Sequence, residues 1–461
     1  MNIFKSPFII KVANSGSMMV AANTVAKSIV ILLLVPIVIS TSSEQHLVIF
    51  YALTALYSMQ LVADLGVTAT CTRFYAYVAG SSNDNASDKP LFHQDNKLSQ
   101  LKFLHLNSDD AEKELFKGCS FLYFCLALAS LFIGFLMFAF WTVQNSQELY
   151  SRESLAATWF CIMFVGAVRI WSRQYAAYLC GNNKVAFVER IGTICTFIAI
   201  ICAVVTQIIF TNVLLTTLVF YLFSSLDIFI LRHTVKKISS VYETFFYFDK
   251  KVYMTLKPIF SSAWRAGFGQ MASLFPIQLT QITVAARELP QAASFLFLIQ
   301  VIRGISLLST APLYAYLPKL ASLYKSNNLK NVRIIGEKRT LNGALIFLLS
   351  LLIFFLVVNA LNLYKFNYFP AIPVYLLCIV ALPFFCERVA ASFLQIYTLT
   401  NDVRWHIANG VTALIAVLAF FIIDNFDSVY SFPLALMTGQ LLFYIPYTLR
   451  LYFYKLRPLT F

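Results

Sequence analysis

The sequence predicts an all-α integral membrane protein of about twelve transmembrane helices arranged as two six-helix bundles. Three observations predict it. Hydrophobic residues make up 59% of the chain and charged residues only 12%, where a soluble domain carries about a quarter charged. The mean hydropathy is +0.73. Finally, the apolar residues fall into runs of roughly 18–25, the length that crosses a bilayer. No cleavable leader is evident before the first run, because no small-residue cleavage site follows a short apolar core.

In order, the expected spans are 17–41, 46–68, 118–141, 155–180, 191–211, 212–231, 258–282, 290–318, 341–362, 371–397, 406–424 and 431–453. The first carries Asn23 and Lys27 one turn apart and then Pro36. The second runs into Asp64-Leu65-Gly66, a carboxylate and a helix breaker at membrane depth, and the chain is expected to stay helical towards Arg73. A long polar segment, 74–117, separates it from the third. The fourth holds Arg169 and Arg173, four apart and so on one helix face. The fifth and sixth nearly touch at Phe210-Thr211-Asn212, and Asp227 lies near the end of the sixth.

The second half repeats part of this plan. Lys27 precedes Pro36 by about nine residues, and Arg265 precedes Pro276 by about eleven, so the lead helix of each half carries a charge and then a proline that can bend it. The seventh span also holds Gln270, Gln278 and Gln281; buried amides often bridge helices, and the last two share a face. Arg303 lies in the eighth span, and Glu387 and Arg388 lie in the tenth. The division is therefore 1–231, a linker at 232–257, and 258–461.

The net charge of +14 is explained by topology. With the N-terminus inside, inner segments hold 26 of the 35 lysines and arginines, counting Arg450 at the inner end of the last span with them. The outer loops hold only Arg152, Arg287 and Lys365. Cytoplasmic loops carry such an excess, and it also attracts anionic membrane lipid. Nucleic-acid binding is a poor reading. Both chain ends are expected to be cytoplasmic. None of the nine cysteines falls in an outer loop, and the five histidines lack ligand spacing, so no disulfide, metal or other cofactor is expected.

Six basic residues remain inside the spans: Lys27, Arg169, Arg173, Arg265, Arg303 and Arg388. Each costs about 2.5–3.5 kcal/mol at a helix centre, or on the order of 15–20 kcal/mol together, so they do not all face lipid. At 1.5 Å per residue Lys27 lies roughly 15 Å along its helix, near the midplane. Arg173 and Arg265 are closer to the inner surface and can snorkel. Two readings stand. The cations pair with Asp64, Asp227 and Glu387 between helices, or they line a cationic cavity for an anionic substrate.

The segment LVADLGVTATCTRFYAYVAG (61–80) resembles the end of the second helix in polysaccharide flippases of the multidrug/oligosaccharidyl-lipid/polysaccharide superfamily, with Asp64, Leu65, Gly66 and Arg73 at the matching positions. The segment RGISLLSTAPLYAYLPKLASLY (303–324) is similar to the eighth helix of that family, where small residues lead to a proline, here Pro318, and a basic inner end. The first outer turn, STSSEQHLVIFY (40–51), departs from the family's glycine-containing pattern. The resemblance implies a MATE-like fold and a transporter of undecaprenyl-diphosphate-linked oligosaccharide, such as an O-antigen unit, in a bacterial inner membrane. The six cations would hold the head group. Asp64, Gly66, Arg73 and Glu387 would gate or couple the movement. The pathway's polymerase and chain-length proteins are the expected partners. A drug or cation exporter of the same superfamily is the alternative, opposed by the basic interior. A glycan polymerase is a further one, opposed by the short outer loops, and an enzyme is not expected.

Overall fold

The computed structural model describes residues 44–61, 67–81, 108–144, 151–182, 184–238, 250–286, 291–314, 328–363, 372–400, 404–423 and 429–456, with isolated positions elsewhere such as Asn23, Leu34, Val38 and Asp64. All regular structure among them is helical. The first half contains α1 (Glu44–Leu61), α2 (Val67–Ser81), α3 (Ser108–Gln144), α4 (Arg152–Gly181), α5 (Val185–Phe210), α6 (Val213–Ser224) and α7 (Asp227–Ile238). The second contains α8 (Lys250–Ala286), α9 (Ala292–Tyr314), α10 (Leu329–Leu363), α11 (Val374–Tyr397), α12 (Trp405–Ile423), α13 (Ser431–Gly439) and α14 (Ile445–Leu456). Nine helices among the described residues are long and apolar enough to cross a membrane, counting α6 with α7 and α13 with α14 as one each. The second and seventh expected spans are occupied by α1–α2 and α8. Most of the first span, with Lys27 and Pro36, lies outside the described residues.

The boundaries follow local chemistry. The α5–α6 hairpin turns where the sequence places it. Thr211 takes a left-handed φ of 47°, and the Asn212 side chain accepts from the backbone N–H groups of Leu214 and Leu215 at 3.0 and 3.2 Å, capping α6. Helices outrun the hydropathy pattern at the basic end. α3 and α8 are 37 residues each and α10 is 35, or about 50 Å, against a hydrocarbon core of about 30 Å. The segments 74–117 and 232–257, expected as loops, are thus helical at their described edges. Beyond the membrane, water solvates polar side chains, so the apolar run ends while the helix continues.

Two interruptions divide spans that the sequence reads as single runs. The sixth breaks at Ser225-Leu226, between α6 and α7. The twelfth passes from α13 through one wide turn at Gln440–Tyr444, where the N–H of Ile445 reaches back to the carbonyl of Gln440. Just before that turn, Gly439 lets α13 approach α12. A Cβ there would sit 2.6 Å from the carbonyl oxygen of Thr412. α8, by contrast, stays helical through Pro276.

One apolar core joins the two halves at the end away from the basic segments. It runs from Leu47–Tyr57 of α1 through Trp159 and Ile162 of α4 to Ile277 and Ile282 of α8, Phe295–Ile302 of α9 and Val380 of α11. At the basic end the cores are separate. One, around Cys71, Tyr123 and Ile170, belongs to the first half with Ile259 and Ala263 of α8. Two smaller ones, around Leu394 and Leu320, lie within the second. α8 bridges the halves, packing on α1, α2 and α3 along one side and on α12 along the other. The best-buried span is α9, with 72% of its apolar window covered against 17–44% for the others. Phe132, Phe229, Ile353 and Phe421 are 60–71% exposed, as side chains facing lipid tails should be.

Gly343 sets the contact of α10 with α9, because a Cβ there would lie 2.6 Å from the backbone oxygen of Ser309. Gly343→Leu is expected to cost about 1–3 kcal/mol by overpacking, read as a lower unfolding midpoint in detergent. Gly343→Ala should fall between it and the native chain.

Candidate functional site

Polar groups inside the membrane gather in two places. In the first half, α4 projects Arg169 and Arg173 from one face. Arg173 donates from Nη1 to Asp64 Oδ2 at 2.6 Å. Asp64 lies between the described ends of α1 and α2, and it also accepts from the Thr68 hydroxyl at 2.9 Å. Thr68 in turn accepts from the Tyr123 hydroxyl at 2.9 Å. One turn back, Arg169 reaches Asp227 at 3.6 Å, and it donates to the Tyr57 hydroxyl at 3.3 Å and to Ser224 Oγ at 3.2 Å. The rings of Tyr57 and Tyr221 lie beside it, 3.9 Å apart. Asp227 is the first residue after the break between α6 and α7. α4 is therefore an ionic staple: Arg173 binds the carboxylate of Asp64, between the described ends of α1 and α2, and Arg169 binds that of Asp227, where α7 begins.

The second cluster lies between α9 and α11. Arg388 Nε donates to Ser306 Oγ at 3.2 Å, and the Ser273 hydroxyl of α8 donates to Glu387 Oε1 at 3.4 Å. Glu387 interacts electrostatically with both Arg388 and Arg303. Pro383, one turn before Glu387, lacks an N–H and removes a rung from the helix ladder. Two guanidiniums thus face one carboxylate here, whereas in the first half the ratio is two to two.

The other residues singled out from sequence fall elsewhere. Arg265 is exposed towards the basic end of α8, 5.9 Å from the Trp264 ring. Arg73 is on α2, and its side chain lies outside the described residues, as do Lys27 and Gly66. Sequence reasoning missed the neutral partners Tyr57, Ser224 and Ser306. It also missed Glu189, which accepts from Asn23 Nδ2 at 2.6 Å and ties the first span to α5. Glu189 lies just before an apolar run, and that edge position was its only signal. Among the described residues no group of three His, Cys, Asp or Glu side chains could hold a metal.

Solved structures share this overall arrangement of helices. A MATE transporter in the bent conformation superposes with a TM-score of 0.55 over 96% of this chain and 97% of its own, at 12% identity. The lipid II flippase MurJ, in an inward closed conformation, does so with 0.53 over 88% and 86% at 16% identity. An inward-facing multidrug resistance MATE family transporter of the MOP superfamily gives 0.54 over 93% of both chains at 11% identity. The fold is MATE-like. No protein-family model matches the sequence, and no curated protein matches it. The chain is accordingly a multi-pass membrane protein of MATE-like fold.

Asp64→Ala leaves Arg173 without its carboxylate and is expected to destabilise the protein by about 1–3 kcal/mol, since the pair is partly exposed. In a double-mutant cycle with Arg173→Ala, the two losses should fall short of additive. Unfolding midpoints of the four proteins in one detergent check this.

Proposed function

We propose that this chain flips an undecaprenyl-diphosphate-linked oligosaccharide, such as an O-antigen repeat unit, from the cytoplasmic to the periplasmic leaflet of a bacterial inner membrane. The observation that carries the reading is the surplus of cation between α9 and α11, where, among the described residues, Arg303 and Arg388 both act electrostatically on one carboxylate, that of Glu387. A diphosphate supplies the missing negative charge, and guanidinium groups bind phosphate oxygens in a bidentate fork. An organic cation would be repelled from the same place. MurJ, a lipid II flippase, supports a lipid-linked cargo on this fold.

In this mechanism the two six-helix halves, 1–231 and 258–461, rock about their shared core to alternate access. Arg303 and Arg388 take the head group, Arg265 and Lys27 guide its approach, and the lipid tail stays in the bilayer. The α4 staple through Arg169 and Arg173 keeps the interrupted helices in register. Asp64, Gly66 and Arg73 form the gate at the basic end. Glu387, set between two guanidiniums, is the carboxylate through which substrate and proton binding exclude one another. The termini and basic segments face the cytoplasm, and the polymerase and chain-length proteins receive the delivered units.

The test is complementation of a deletion strain stained for surface polysaccharide. Arg303→Ala and Arg388→Ala, at native protein levels, are expected to lose the surface glycan while lipid-linked units accumulate in the inner leaflet. Full surface glycan from both variants would remove the head-group site. Single repeat units on the outer leaflet of the deletion strain would make the protein a polymerase, and drug sensitivity with normal glycan would make it an exporter.

A further inference from the structure

Three polar side chains lie inside the core that joins the halves, and none has a hydrogen-bonding partner. Gln278 and Gln281 of α8 are 1% and 0% exposed, and neither the amide nitrogen nor the oxygen of either is bonded. Tyr51 of α1 is 0% exposed, and its hydroxyl is likewise unbonded. α8 packs along α1. All three residues lie within about 12 Å of the outer ends of their helices, at 1.5 Å per residue. Gln278 and Gln281 are three apart and share a face. Their sequence neighbours Ile277 and Ile282 belong to the same core as Tyr51.

Such groups oppose the sealed arrangement. A buried amide without partners loses its solvation and gains nothing in return, so leucine would be the more stable choice at both positions. Bridging helices, the usual use of a membrane amide, does not account for them. Elsewhere the chain does use its amides. Gln60 donates to the Met163 carbonyl at 2.7 Å, Asn409 to the Gly269 carbonyl at 2.9 Å, and Gln207 bonds Thr41, Ser42 and Thr216. Gln174 and Gln440 also leave a buried amide oxygen unbonded, as Gln60 does, but Gln278 and Gln281 have neither end of the amide bonded, and they lie on α8, the helix that packs on α1.

We infer that Tyr51, Gln278 and Gln281 form a sugar-binding site on the release side, hidden while the outer core is closed and uncovered when it opens. Its ligand class is the neutral, hydroxyl-rich glycan of the cargo. Amides and a phenol offer donors and acceptors together, as sugar hydroxyls require, and carry no charge to hold the diphosphate. A glycan that satisfies these groups only in the open arrangement favours that arrangement by its differential affinity. The inference rests on the flippase reading above.

The experiment combines complementation with unfolding midpoints of the full-length protein. The Gln278→Leu/Gln281→Leu variant is expected to raise the midpoint while lowering surface glycan roughly ten-fold, the size of one lost interaction of about 1.4 kcal/mol. Tyr51→Phe, which removes one oxygen, should lower glycan without lowering the midpoint. Normal glycan from both variants, beside a deletion strain that has none, would overturn the sugar site and leave the flippase reading standing. A midpoint that falls in the leucine variant would show the amides to be satisfied structural groups, and would overturn the site too. Surface glycan in the deletion strain itself would end both readings.

Discussion

Two arginines one turn apart on α4 hold two other spans, each through a carboxylate of that span. In hydrocarbon an interrupted helix has carbonyl and N–H groups that water cannot reach, so a break survives only where protein supports it. Asp227 sits at such a break, and it and Asp64 each meet a guanidinium of the same helix. The carboxylates neutralise cations that would otherwise be too costly at that depth. The arginines in turn fix where α2 and α7 resume. Removing either side leaves an uncompensated charge beside an unsupported turn, so the charges and the breaks depend on one another.

The second half solves the same problem with less symmetry. Glu387 serves Arg388 and Arg303 together, while the remaining polar neighbours, Ser273 and Ser306, are neutral. A balanced staple favours a fixed structure, and an unbalanced cluster favours a missing anion. The halves thus differ: each arginine of α4 meets a carboxylate of its own, while Arg303 and Arg388 both act on Glu387.

Much of this was legible before any coordinates. The spans follow from run length, because the bilayer imposes one. The α5–α6 turn was visible where the fifth and sixth apolar runs nearly touch at Phe210-Thr211-Asn212, and the shared face of Arg169 and Arg173 follows from their spacing. What was hidden depends on distance along the chain. Nothing near Arg173 points to Asp64, which precedes it by 109 positions. The break at Ser225-Leu226 has no glycine or proline to announce it, and its N–H groups bond three residues back, Ser225 to Leu222 and Leu226 to Phe223. The extension of α3, α8 and α10 past the membrane was hidden because hydropathy reports the solvent around a helix and not the helix itself.

The wide turn at Gln440–Tyr444 has a consequence for how the last span meets its neighbours. A regular helix advances about 100° per residue, so absorbing one extra residue re-aims everything beyond it by roughly that angle. Before the turn, Phe432 and Leu436 point into the core shared by both halves. At its end Tyr444, and beyond it Leu451, point into a core confined to the second half. A single rod thus answers to two partners that need not move together. Shortened by one residue at the turn, its apolar face would be continuous, and it would fit only one of them.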